Sequence, residues 1–281
     1  MRTPRLLLTA YGLAGAADLA CLAAGAGTGH AVVKPLLMPL LAAAAAGFRA
    51  PRPLLAALLC GWGGDVLLLT DGTPGFLAGM ACFAAGHVCY LLLFRAHGTA
   101  AGAPHPRGRR LLAPAYAAAL AAAVTLLWPD LPVGLRVPVA AYGVLLTTMA
   151  YGAAVRLGAV AGAGGALFVL SDTLIAAGLA DWPRPPRPDF WIMLTYVAAQ
   201  FLLVTGALRG GTAPPAARHE EVGEAREVHE VHEAREVPEV AEAAGRDGFT
   251  RGGAAAAPSA ARTPRPPRPA RRPPRAREGT R

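Results

Sequence analysis

Apolar and polar positions along this chain fall into long blocks instead of alternating at short range. Eight apolar stretches can be drawn, at about residues 6–25, 31–48, 53–70, 75–95, 110–128, 134–152, 157–180 and 189–208. Each runs for about 18–24 residues, enough as a helix to cross a hydrocarbon core of ~30 Å. The separators are short and carry Gly, Pro or charge, as in Arg49-Ala50-Pro51-Arg52-Pro53 and Pro129-Asp130-Leu131-Pro132. The pattern predicts an all-α membrane protein, a polytopic bundle of about eight transmembrane helices over residues 1–210.

The placement of arginine tests that number. Arg2 and Arg5 precede the first stretch, and Arg49 and Arg52 lie between the second and third. Arg95, Arg107, Arg109 and Arg110 lie between the fourth and fifth, and Arg156 between the sixth and seventh. The alternate connections hold His30, Asp71 and Asp130, and only the last one mixes Arg184 and Arg187 with Asp181 and Asp189. Basic loops stay cytoplasmic, so both termini are expected there, which requires an even number of spans in a multi-pass protein of the cell membrane. Met1-Arg2-Thr3-Pro4-Arg5 before an apolar run has the look of a signal peptide, but Asp18 and the length of the run argue for a retained first helix.

Composition supports the class and adds a tail. Apolar residues make up 54% of the 281, yet the last quarter is strongly polar. Residues 218–242 carry a crude Glu/Arg repeat, and residues 262–277 are almost entirely Pro and Arg. Such a composition cannot offset chain entropy, so residues 211–281 are expected to be a disordered cytoplasmic tail. The net charge of +9 raises nucleic-acid binding as a reading of the arginine run, but no folded module accompanies it, so no nucleic acid is expected. Contact with anionic membrane lipid is the other reading of the Arg/Pro end, and a simply solvated tail is the expectation adopted. Cys21, Cys60, Cys82 and Cys89 all sit in apolar stretches without paired spacing and read as small buried hydrophobes.

The informative residues are the polar ones inside the apolar blocks. Lys34 is the single lysine against 26 arginines and stands beside the run Pro35-Leu36-Leu37-Met38. Asp18, Asp65, His87 and Asp172 are similarly embedded. Ionisable groups at membrane depth are costly and mark a site by default. Counted inward from the same end of the bundle, Asp18, Lys34, Asp65, Tyr142, Asp172 and Tyr196 fall within one slab, roughly 4–12 Å deep. His87 and Gln200 lie somewhat deeper. Convergence on a common cavity is the economical way to hold such a set in lipid, separate interhelical hydrogen bonds being the alternative. Phe83, His87 and Tyr90 share one helix face, as do Tyr196 and Gln200. Gly63-Gly64 before Asp65 and Gly164-Gly165 before Ser171-Asp172 invite close helix approach. Two neighbouring carboxyls in a low-dielectric cavity cannot both ionise cheaply, so Asp65 and Asp172 are candidates for an acid and a base side by side. Lys34 has a second reading, pairing with Asp18 at the interface, and Tyr142 one as a packing aromatic.

Other chemistries fit poorly. The two serines, Ser171 and Ser259, lack a nucleophile-elbow context. There is no His-Glu-x-x-His, no Cys/His set at zinc spacing and no glycine-rich phosphate loop, so neither a metal nor another cofactor is expected.

Taken in order, these residues resemble the YhhN family of eight-span membrane proteins, which includes the lysoplasmalogenases. The resemblance rests on Lys34-Pro35, Gly64-Asp65, Phe76-x-x-Gly79, Phe83-x-x-x-His87-x-x-Tyr90, Gly165 through Asp172, and Tyr196-x-x-x-Gln200, and covers about residues 6–208. It implies hydrolysis of the vinyl-ether bond of a lysophospholipid substrate, giving a fatty aldehyde and a glycerophospho-alcohol. On that implication Asp65 and Asp172 are the catalytic acid and base in either order, Lys34 holds the phosphate, and His87, Tyr90, Tyr196 and Gln200 orient the carboxyls and headgroup. Two other classes remain open, a proton-coupled transporter using the same groups as a relay and a non-catalytic lipid-binding protein. Inverted repeats would favour the transporter, but the two halves show no convincing match.

Overall fold

The computed structural model describes residues 2–96 and 106–210, and all of its regular structure is helical. In chain order the helices are α1 (Arg2–Ala24), α2 (Gly27–Gly47), α3 (Arg52–Leu67), α4 (Thr73–Ala96), α5 (Pro106–Leu127), α6 (Val133–Leu157), α7 (Ala159–Leu179) and α8 (Pro188–Gly210). Seven of these are long and apolar enough to cross a membrane. The chain is therefore a polytopic all-α membrane protein, and each helix matches one apolar block to within a few residues. The tail expected over residues 211–281 lies outside the described residues.

The main departure is α3, which is 16 residues long and rises about 24 Å. The apolar block continues to Thr70, but the helix stops at Leu67 because the backbone tightens there. Leu69 N–H turns back to Val66 O, and the Thr70 hydroxyl donates to Leu67 O at 2.6 Å. Gly72, at φ 90°, then completes the turn into α4.

Seven helices form a closed ring in the order α1, α2, α3, α4, α6, α7, α8, with α8 returning to α1. Helix α5 stands outside it, packed mainly on α6 and lightly on α7. Small residues set the spacing of the ring, since lipid supplies no hydrophobic force to drive helices together. A Cβ on Gly164 would come 2.8 Å from the Ala199 carbonyl oxygen of α8, and one on Gly165 would come 2.7 Å from the Ala150 Cα of α6. Helix α7 is thus held against backbone on both sides. Tyr11 fastens α1 to α8 by donating to Val197 O at 2.8 Å.

Helix α2 carries two internal prolines, Pro35 and Pro39. Pro39 has no N–H to give the carbonyl of Pro35, one helical turn earlier. The Trp62 indole of α3 takes that carbonyl instead, at 2.9 Å. The substitute bond both satisfies the broken turn and ties α2 to α3, next to Lys34.

Candidate functional site

At the ring end that carries the α1–α2, α3–α4, α5–α6 and α7–α8 connections, the helices enclose a cavity of about 70 Å³. Its polar wall consists of Lys34, Asp65, Tyr142, Ser171, Asp172 and Tyr196, and its apolar wall includes Phe76, Met80, Phe83 and Ile175. Asp65 arrives near the C-terminal end of α3, Asp172 from the second half of α7, and Tyr196 from the first half of α8. The close packing allowed by Gly64, whose Cβ would lie 2.6 Å from the Phe83 ring, brings α3 and α4 together beside the Asp65 carboxyl.

Two hydrogen-bonded arms support the two carboxyls. In the first, Tyr196 donates its hydroxyl to Asp65 Oδ2 at 2.8 Å. Gln200, one turn further along α8, donates to the Tyr196 oxygen at 3.4 Å and accepts from the Tyr90 hydroxyl at 2.8 Å. In the second arm, Tyr142 of α6 donates to Asp172 Oδ2. Its oxygen lies 3.0 Å from His87 Nε2. A hydroxyl has one proton to give, so His87 is the donor in that bond, and it carries its hydrogen on Nε2. Its Nδ1 is buried without a partner among the described residues. The Phe168 ring stands between the arms, edge-on to both His87 at 4.9 Å and Tyr196 at 5.5 Å between centroids.

The arms treat their carboxyls differently. Asp65 Oδ1 lies 3.9 Å from the Lys34 ammonium, whereas Asp172 has no cation within 4 Å among the described residues. Both Lys34 and Asp65 are nearly buried, Asp65 at 2% exposure. The ion pair in this apolar setting is therefore little screened.

Four of the residues singled out from the sequence, Lys34, Asp65, Asp172 and Tyr196, line the cavity together. His87, Tyr90 and Gln200 stand behind the tyrosines and do not reach the cavity wall. Lys34 faces Asp65 and not Asp18. Asp18 is fully buried and pairs instead with His30 Nδ1 at 2.8 Å, joining α1 to α2. Tyr142 is no packing aromatic, since it links His87 to Asp172. Its depth in the slab was the only sequence signal for that role. The serine of Ser171-Asp172 is structural and donates to Ile192 O at 3.1 Å. Among the described residues no group of three potential metal ligands occurs.

Such a ring, with tyrosine-held carboxyls at membrane depth, defines a polytopic membrane protein with a built intramembrane polar site. Residues 29–207 match the YhhN family, and the chain belongs to that family. It is similar to the Homo sapiens protein named lysoplasmalogenase TMEM86B, with 36% identity over 56% of this chain and 63% of the relative. The corresponding Sus scrofa protein is also 36% identical, over 59% of this chain and 68% of its own length. A Mycobacterium bovis protein named lysoplasmalogenase is 33% identical over 68% of this chain and 76% of the relative. The chain thus spans somewhat under two thirds of the human relative. No solved structure matches it.

Proposed function

We propose that this protein hydrolyses the vinyl-ether bond of a lysoplasmalogen within the membrane. One observation supports the reading: two carboxyls from different helices line one small cavity, and among the described residues only one of them faces a cation. The relatives' names point to the same reaction. Asp65, opposite the Lys34 ammonium, serves as the carboxylate. Asp172, without a cation and with one oxygen engaged by Tyr142, carries the proton.

Vinyl-ether hydrolysis begins with carbon protonation. Asp172 gives its proton to the β-carbon, and the double-bond electrons form the new C–H bond, leaving an oxocarbenium ion. The Asp65 carboxylate stabilises that cation electrostatically and then takes a proton from the water that adds to the α-carbon. The resulting hemiacetal collapses by breaking the C–O bond to glycerol. Its hydroxyl proton returns to Asp172, and the departing oxygen receives the proton held by Asp65. Both carboxyls regain their starting states, and the products are a fatty aldehyde and glycerophosphoethanolamine or glycerophosphocholine. The cavity of about 70 Å³ suits a few waters and the reacting atoms, not a whole lysolipid.

The test is aldehyde release from a defined lysoplasmalogen by the purified full-length protein, beside Asp65→Asn and Asp172→Asn. Turnover that disappears in both folded variants is expected. Absence of wild-type turnover with lipid still bound would sink the hydrolase and leave transport or lipid binding in its place.

A further inference from the structure

A second cavity, of about 270 Å³, lies where α5 leans on α6 and α7 from outside the ring. It shares four wall residues with the first cavity, Val139, Tyr142, Asp172 and Ala176. The candidate acid therefore faces both spaces. The rest of the wall is almost wholly apolar, with Leu120, Ala123, Val124, Gly143 and Leu146 prominent. Along α5 it extends from Trp128 at the loop end to Tyr116, a rise of about 18 Å.

One cation stands at its loop end. Arg136, in the first turn of α6, falls inside an apolar block and so escaped the loop-by-loop arginine pattern. Its guanidinium donates from Nε to Leu131 O at 3.1 Å and from a terminal nitrogen to Pro129 O at 2.9 Å. These bonds fix its position with neutral carbonyls, and no carboxylate lies within 4 Å of it among the described residues. The remaining N–H groups of the fork keep the full charge for a partner. Arg136 to Tyr142 is six residues on one helix, about 9 Å.

We infer that this outer cavity is the binding site of a single-chain phospholipid drawn from the bilayer, with its phosphate on Arg136, its hydrocarbon chain along α5 toward Tyr116 and Leu146, and its ether end at Asp172 and Tyr142. The inference rests on the hydrolase reading for its last element only. An elongated apolar slot with one unneutralised arginine at its mouth complements a lipid with a single chain and one anionic headgroup. The 9 Å between Arg136 and Tyr142 leaves room for a glycerophosphate between the two ends. Since Lys34 is engaged by Asp65, Arg136 takes over the phosphate contact expected of the lysine. The vinyl-ether carbons then reach past Asp172 and Tyr142 into the inner cavity, which holds Asp65 and the attacking water, and α5, the helix outside the ring, is the side from which lipid enters.

The experiment uses full-length protein and a lysophosphatidylcholine bearing a diazirine at its chain terminus, with labelled residues mapped by mass spectrometry. Labelling is expected on Tyr116, Leu120 or Leu146. Arg136→Ala should lower it roughly tenfold, the worth of one charge-assisted hydrogen bond, while a phosphate-free diazirine monoacylglycerol labels both proteins equally. Leu120→Trp, which fills the deep end of the slot, should abolish labelling by the long chain and spare a short-chain probe. Labelling confined to Phe76, Met80 or Ile175, or an equal loss for both headgroups in Arg136→Ala, would overturn the site. Aldehyde release by the wild type is scored separately. Label in the outer cavity without aldehyde keeps the lipid site and removes the hydrolase, and aldehyde with label elsewhere does the reverse.

Discussion

Replacing Tyr142 by Phe removes one oxygen and nothing else from the second arm. That oxygen donates to Asp172 and accepts from His87 Nε2 at 3.0 Å, so its loss strands both groups at membrane depth. Interhelical hydrogen bonds in membrane proteins contribute about 0.6 kcal/mol on average and up to about 1.7 kcal/mol. Two of them lost together predict a destabilisation of about 1–3 kcal/mol, readable as a lowered unfolding midpoint in detergent. The effect on turnover should be larger in proportion. On the proposed mechanism Asp172 would then be free to rotate away from the vinyl carbon, and a misplaced catalytic group costs on the order of 100-fold in rate.

The assay is aldehyde release, with kcat and KM separated by a substrate series. The expected result is a fall in kcat of between roughly ten- and a hundredfold with little change in KM, because the hydroxyl positions the acid without gripping the lipid. His87→Ala should produce a loss of the same kind, and the double variant should be little worse than Tyr142→Phe alone, since both act through one oxygen. A kcat within twofold of wild type, at a lowered midpoint, would show that Tyr142 only holds α6 to α7 and would refute its catalytic positioning.

Four further outcomes follow from the same geometry. Lys34→Met leaves the Asp65 carboxylate without its cation at 3.9 Å and should abolish turnover, whereas Lys34→Arg should restore part of it. Gly165→Leu drives a side chain into the Ala150 backbone, where even a Cβ would stand at 2.7 Å, and should prevent recovery of folded protein in detergent. Trp62→Phe strands the Pro35 carbonyl and should lower the unfolding midpoint by an amount worth about 1 kcal/mol, with activity retained at low temperature. Gln200→Leu removes the amide between Tyr90 and Tyr196, so it should lower kcat through a misaligned Asp65 while leaving lysolipid binding unchanged.

The helices were legible because lipid is a demanding solvent: each span must be a continuous apolar block, and the blocks sit within a few residues of α1 to α8. The end of α3 was less so, since the turn depends on the Thr70 hydroxyl and Gly72, not on hydrophobicity. Embedded charge likewise exposed Lys34, Asp65 and Asp172. Their partners were harder to read, because one-dimensional depth places a residue in a slab without fixing the rotation of its helix. Tyr142 and Tyr196 lie at similar depth, and only the ring order shows which aspartate each serves. Lys34 can reach either Asp18 or Asp65 by depth alone; its ammonium stands 3.9 Å from Asp65 Oδ1, and Asp18 is taken by His30. Arg136 was hidden in an apolar block, and nothing in the pattern set α5 outside the ring.

The buried charges also explain why the two halves of the site differ. Helix α2 supplies the partners on its side of the ring, the His30 imidazole for Asp18 and the Lys34 ammonium for Asp65. Asp172, on α7, faces α6, whose contribution there is the neutral Tyr142. A carboxylate without a counter-charge is costly in lipid, so the group that lacks one is the group best suited to hold a proton until the substrate takes it. The asymmetry can be reversed by placing a permanent charge where the tyrosine stands. Tyr142→Lys would give Asp172 an ammonium partner and remove its reason to keep the proton. It should therefore be less active than Tyr142→Phe even where it is as stable, although it alone retains a hydrogen-bond donor to the carboxyl. Equal or higher activity in the lysine variant would exclude Asp172 as the proton donor and transfer that role to Asp65.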